Sequence, residues 1–259
     1  MTDASTAKPR IDLNADVGES FGAYTLGSDD ELLGIVTSAS IACGFHAGDP
    51  SVMHRTVETA CRAGVVVGAH VGYPDLRGFG RRAMAVDPRD LYCDVLYQIG
   101  ALDAIARACG TTVRYVKPHG ALYHAAAADP AIARAVATAI RDFGAGCPVL
   151  TGPGSALVEV GEETGIRVVI EGFPDRAYTA AGTLVPRSHP AALIEDPAEA
   201  AARAVRMATD GKVVAVDGSV VDVHAETLCI HGDAPDAPAR ARAVRQALQA
   251  ACVEIVAFV

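Results

Sequence analysis

Polar residues that can do chemistry recur at the ends of apolar, β-type runs in this chain. IACGFH ends on His46, VVVGAH on His70, YVKPHG on Lys117 and His119, and LCIHGD on His231 and Asp233. IDLNADVGES carries Asp12, Asn14, Asp16 and Glu19, and VVIEGFPDR carries Glu171, Asp175 and Arg176. Polar groups gathered at the C-terminal ends of successive parallel strands are the way barrel and open α/β enzymes build active sites. Six such ends in phase along one chain point to an enzyme.

Three kinds of chemistry follow from these residue types. Asp12, Asn14 and Asp16 alternate with Leu13 and Ala15, so in a strand they share one face; Lys117 and His119 do the same. A buried row of carboxylates needs cations, hydrogen bonds or a metal to offset its desolvation. With a lysine and several histidines nearby, it offers a general base, an anchor for an anionic substrate and donors for a carbonyl. Asp16 and Glu171 are the proton-handling candidates. His, Asp and Glu are also ligand types for a divalent hydrolytic metal, drawn from Asp12, Asp16, His46, His70, His119 and His231. No H-E-x-x-H or H-x-x-x-H is present, so a metal would have to be assembled from separate strands. No phosphate-binding G-x-x-x-x-G-K-[ST], complete G-x-G-x-x-G or G-x-S-x-G elbow occurs either. TGPGSA at 151–156 is a Gly-rich turn opening a helix, whose plain reading is a tight connection.

The elements that must position these groups alternate along the chain. Strands are predicted at 10–15, 38–43, 65–69, around RYVK and PVL, at RVVIE and at 227–230. Four helices begin on Asp-Pro pairs, at Asp49, Asp87, Asp129 and Asp196, with Asp as N-cap and Pro at the first helical position. Ser28 is the expected cap of a short helix in SDDELLGIV, Ser155 begins another to Thr164, and an Ala/Arg-rich helix spans about 237–251. Asp217–Gly218 between two apolar runs suggests a two-residue hairpin turn, and VEIVAFV reads as a last strand. Seven main strands without a linker or repeat favour a single α/β domain over 1–259, a distorted (β/α) barrel, over an open doubly wound sheet. Two connections, 71–85 and 172–190, are too long for simple barrel turns and read as lids or binding loops.

Bulk properties set limits on partners. The 259 residues are 51% hydrophobic and 20% charged, without Trp, enough for one large aliphatic core. A net charge of −9 argues against nucleic acid and anionic membranes. The first ten residues have no apolar signal-like stretch, and no run reaches the ~20 apolar residues of a membrane span. Seven unpaired-looking cysteines without C-x-x-C suit a reduced, cytoplasmic setting.

The motifs DLNADVGESFG at 12–22, SASIACGFHAGDP at 38–50, GAHVGYPDLRGFGRR at 68–82, VKPHGALYH at 116–124, EGFPDRAY at 171–178 and CIHGDAP at 229–235 resemble the LamB/YcsF family over nearly the whole chain. The resemblance implies a barrel of the glycoside hydrolase/deacetylase type. It also implies a role as the A subunit of an ATP-dependent 5-oxoprolinase, acting on 5-oxoproline and ATP with two further subunits, B and C. On that reading Asp16, His119, Glu171 and Lys117 are the catalytic candidates. Asn14, His46, His70, Arg77, Arg176 and His231 are the substrate-binding ones, with ATP as cosubstrate and a divalent metal as an open question. The alternative of the same barrel type is a stand-alone metal-dependent deacetylase or amidohydrolase.

Overall fold

The computed structural model describes residues 8–233 and 236–259. In chain order the elements are β1 (Arg10–Val17), α1 (Asp29–Leu33), β2 (Ser38–Ala42), α2 (Pro50–Ala63), β3 (Val66–Val71), α3 (Pro88–Ala108), β4 (Tyr115–Pro118), α4 (Gly120–Ala128) and α5 (Pro130–Phe143). Then come β5 (Val149–Thr151), α6 (Ala156–Thr164), β6 (Val168–Gly172), α7 (Pro197–Asp210), β7 (Lys212–Val214), β8 (Val220–Asp222), β9 (Thr227–Ile230), α8 (Ala237–Ala250) and β10 (Glu254–Ile255). Strands β1 to β6 and β9 pair in parallel, and β1–β9 pairing closes them into a seven-stranded barrel. The barrel expectation therefore holds, and the open sheet does not.

The Asp-Pro starts work as their chemistry predicts. Asp49, Asp87, Asp129 and Asp196 each accept a hydrogen bond from an N–H in the first helical turn, a contribution of about 1 kcal/mol apiece. Ser28 makes no such bond. The helix α4 is not legible in the sequence: GALYHAAAA has no capping signal, and His119 precedes it without a side-chain cap. Apolar residues on the outer strand faces, such as Leu13, Ala15, Val67 and Val116, pack with Leu91, Leu102 and Val136 of the helices.

Register decides which side chains enter the barrel, because paired residues on parallel neighbours point the same way. Asp12 pairs with Thr227, which pairs with Glu171; Asn14 pairs with Cys229; His70 pairs with Lys117. The barrel interior is thus polar. At its lower end lies a small apolar floor of Tyr115, Leu150 and Val169, against which Phe258 and Val259 pack. Gly68 makes room for this floor, since a Cβ there would lie 2.2 Å from the Tyr115 ring. VEIVAFV is consequently not a barrel strand. Only Glu254 and Ile255 pair, with Arg10 and Ile11, and the rest plugs the floor because the seven-stranded barrel is already closed above it. The 213–223 hairpin also differs from expectation. Ala215 donates to Ser219 and Gly218 donates to Ala215, leaving a three-residue loop with Gly218 at φ +86°, the αL position such a loop requires.

Asp12 lies deep in the barrel, where its carboxylate accepts hydrogen bonds from Thr37 (2.6 Å), Ser38 (2.7 Å) and Thr227. Burial, only partly offset by those hydroxyls, pushes the carboxyl from 3.8 up to about 6. A raised carboxyl pKa favours the folded state below the unfolded value, and that contribution is lost as pH rises through about 6. The cost at neutral pH is on the order of 3 kcal/mol. Melting temperature is therefore expected to fall between about pH 4 and pH 7 in the wild-type protein. It is expected to fall less steeply in Asp12→Asn. Parallel melts of both proteins across that window check this; identical slopes would remove Asp12 as the cause.

Candidate active site

Above Asp12, Asn14 donates to Glu171 (3.0 Å) and to Thr227 (2.7 Å). Next, Lys117 places its ammonium between two buried carboxylates, 2.8 Å from Asp16 Oδ1 and 2.8 Å from Glu171 Oε1, with Cys229 Sγ 3.0 Å away. Burial alone would strip the charge from Lys117, but Asp16, Cys229 and Glu171 hold its pKa well above the usual lysine range. Burial likewise opposes the charge on Asp16, yet His70 and Lys117 keep its carboxyl well below the usual range. Burial raises Glu171, with Lys117 pulling the other way. The row of carboxylates is thus neutralised from within, as its sequence required. Lys117 is fully engaged, so it is a counter-ion first and not a free anchor for substrate.

The histidines sit one layer higher. His70 Nδ1 faces the Lys117 carbonyl at 3.1 Å, and His119 Nε2 faces the Phe79 carbonyl at 2.8 Å. Carbonyls only accept, so both ring nitrogens carry protons there. That leaves His70 Nε2 and His119 Nδ1 facing each other at 2.9 Å, with Asp16 Oδ2 3.5 Å from His70 Nε2. His46 stacks on His119, centroids 3.8 Å apart and 4° between planes. Burial, then the neighbouring histidines, hold the pKa values of His46 and His119 well below the usual range. The rings approach this closely because Gly80, at φ +62°, has no Cβ; one would lie 2.7 Å from both His119 and His46.

On the opposite wall, Asp175 grips His231. Its carboxylate accepts from the His231 backbone N–H at 3.0 Å and from Nδ1 at 2.8 and 3.1 Å. The ring packs on Phe173 at 5.5 Å and 23°, leaving Nε2 as the unfixed nitrogen. Although burial opposes its charge, His231 lowers the Asp175 carboxyl to about 2.

These walls enclose a cavity of about 360 Å³, floored by Asp16, His70, Lys117 and His119 and walled by Tyr123, Phe173 and His231. Arg81, His124, Arg176 and Arg187 also line it. Arg81 pairs with Asp233 at 2.6 Å. Arg176 is buried and donates to the Val185 and Ala192 carbonyls. Three arginines with one paired aspartate give this mouth a positive charge unlike that of the whole chain, which suits an anionic ligand. Both long connections supply it: 71–85 brings Phe79 and Arg81, and 172–190 brings Phe173 to Arg187.

Most sequence candidates meet here, with two corrections. Arg77 is exposed, at the 3-10 turn Leu76–Gly78, and Arg81 takes the place assigned to it because the tight turn reverses the chain between them. Asp12 is too deep to join a metal set, its oxygens being used by three hydroxyls. Conversely, Asp175 is legible in the sequence as a strand-end carboxylate without a role, and Arg81 only as part of the motif at 68–82. Tyr123 and His124 stand in the motif at 116–124 without an assigned role, and Arg187 lies outside every motif. The turn Gly152–Pro153 lines a side chamber rather than the main cavity. Ala234 and Pro235 of the CIHGDAP motif lie outside the described residues. Among the described residues no helix is long and apolar enough to cross a membrane.

Comparison with known proteins agrees with the geometry. The LamB/YcsF family model matches residues 11–259. A 5-oxoprolinase A subunit from Thermus thermophilus is 55% identical over 96% of this chain and 100% of its own length. One from Symbiobacterium thermophilum is 54% identical over 95% and 94%. The crystal structure of a lactam utilization protein from Thermus thermophilus superposes with a TM-score of 0.92 at 53% identity, covering 96% of this chain and 100% of the other. With its barrel, its strand-end residues and these relatives in agreement, the chain belongs to the LamB/YcsF family.

Proposed function

We propose that this chain is the A subunit of an ATP-dependent 5-oxoprolinase, opening the lactam of 5-oxo-L-proline to L-glutamate. The overall reaction is 5-oxo-L-proline + ATP + 2 H2O → L-glutamate + ADP + phosphate. The observation that carries this reading is a cationic mouth over a buried, internally neutralised carboxylate–lysine–histidine floor, in a chain whose relatives bear that name. Arg81 and Arg176 suit the substrate carboxylate. His231, held by Asp175 through Nδ1, has Nε2 free to take a proton from an attacking water and return it to the ring nitrogen as the C–N bond breaks. Asp16, ionised and lining the cavity, orients water or the lactam N–H. Proton handling thus shifts to His231: Asp16 is held strongly ionised and so is a weak base, and Glu171, engaged by Lys117 and Asn14, is not among the residues that line the cavity.

A five-membered lactam is a stable amide with a poor nitrogen leaving group, which is the chemical reason to couple its opening to ATP. Arg81, Arg176 and Arg187 are the groups of this chain suited to meet phosphate oxygens, and ATP supplies activation of the carbonyl oxygen. Two partner subunits and a cytoplasmic setting belong to the same proposal. The experiment is glutamate release from 5-oxoproline and ATP, by the chain alone and with both partner subunits. Release only in the mixture is the expected result; silence in both, with all three proteins folded, would refute the assignment.

A further inference from the structure

We infer that Glu19, His46, His70 and His119 form a binding site for one divalent first-row transition-metal ion of the zinc type, at the head of the barrel. Three separate features of the free protein lead there, and each is a group without the partner its chemistry needs. The first is the contact between His70 Nε2 and His119 Nδ1. Because the other nitrogen of each ring donates to a carbonyl, two neutral rings would present lone pair to lone pair across 2.9 Å. That contact is repulsive unless a cationic centre is shared between them. Two nitrogens each about 2.1 Å from one ion, at roughly 90–110° to each other, lie about 2.9–3.4 Å apart, so the observed separation suits an ion with little adjustment. Donation of the distal N–H to a backbone carbonyl is also how metal-bound imidazoles are commonly oriented.

The second feature is His46, which is fully buried with both ring nitrogens unpartnered. Its ring is pressed against Gly72, where a Cβ would come within 2.6 Å of Nδ1, so the close fit is built into the backbone. The third is Glu19, a buried carboxyl that among the described residues forms no ion pair. One donor atom from each of the four residues lies within 4.8 Å of all the others. A proton shared by His70 and His119 would settle the first feature and leave the other two unanswered. An ion settles all three.

Three imidazoles and one carboxylate form a borderline set that favours zinc, nickel, manganese or ferrous iron over magnesium or calcium. His70 and His119 line the cavity, which leaves the substrate side open, as in catalytic rather than structural metal sites. An ion here would lower the pKa of a bound water and polarise the lactam carbonyl. A second grouping, Asp16, Cys229 and His231, is not a comparable candidate, because the Lys117 ammonium already occupies it at 2.8 and 3.0 Å.

The assignment deepens the reading above, but its test requires no turnover. The untagged full chain is stripped with a chelator and titrated with Zn2+ alone by calorimetry, beside elemental analysis of the protein as purified. One equivalent is expected to bind, and affinity is expected to fall at least ~100-fold in both His46→Gln and His119→Gln. His124→Gln, at the cavity mouth, is expected to bind as wild type. Co2+ in place of zinc should give visible d–d absorption that either ligand substitution abolishes, and circular dichroism shows that each variant is folded. No stoichiometric binding to the wild type, or binding undiminished in both ligand variants, would overturn the assignment. Failure of glutamate release with zinc binding intact would instead refute the reaction and leave the metal site standing.

Discussion

Replacing Lys117 with Met will destabilise the protein by about 3–5 kcal/mol, the usual consequence of removing one partner from a buried ion pair. Lys117 is the cation between Asp16 and Glu171, both buried. Without it, two carboxylates share an enclosed barrel, and at least one must take up a proton or open the strands to water. Equilibrium denaturation measures the loss. The double variant Lys117→Met/Glu171→Gln should recover a good part of it, since one of the two uncompensated charges is gone. Equal stability of wild type and Lys117→Met would mean that other groups neutralise the carboxylates. Glutamate release should be lost in both variants, because Asp16 no longer keeps its position and charge at the cavity floor.

Asp175→Asn is expected to leave the barrel intact and lower kcat by roughly 10²–10⁴, the range seen when the carboxylate behind a catalytic histidine becomes an amide. Asp175 accepts from His231 Nδ1 and so leaves Nε2 unprotonated toward the cavity. An amide NH2 in its place favours the opposite tautomer, with the proton on Nε2 and no base toward the cavity. A stability readout separates this from a merely structural role. The Asp175 carboxyl ionises near 2 in the folded protein against 3.8 for an unperturbed group. Its stabilising contribution is therefore present above about pH 4 and is lost as pH falls through about 2. Asp175→Asn should show a shallower loss of melting temperature across that acid window, with KM changed far less than kcat. Unchanged kcat would remove the Asp175–His231 pair from the proposed chemistry.

Local features are legible in the sequence because local physics decides them. Asp followed by Pro starts a helix wherever it stands, and four such starts follow that rule. Period-two alternation puts Asp12, Asn14 and Asp16 on one face, and the strand ends mark His46, His70, Lys117, His119, Glu171 and His231. Their convergence on one barrel follows from parallel strands with their ends at one rim. The family resemblance supplies the barrel type, which alternation of strands and helices alone leaves open against an open sheet.

What the sequence by itself determined is the set of polar residues, the strands and faces that carry them, and the need to neutralise the carboxylates. Tertiary structure decided the pairings. That Lys117 bridges Asp16 and Glu171 depends on register across β1, β4 and β6, the two contacts joining residues 101 and 54 positions apart in the chain. That Asp12 is structural while Asp16 reaches the cavity is a matter of depth along one strand, and alternation cannot report depth. That Arg81 rather than Arg77 meets the cavity depends on the 3-10 turn at 76–78. Glu19, His46, His70 and His119 come from four separate segments, and only the closed barrel brings their donor atoms within 4.8 Å. Spacing along a chain encodes what neighbours share; distances between strands are set by packing and closure, which no local pattern carries.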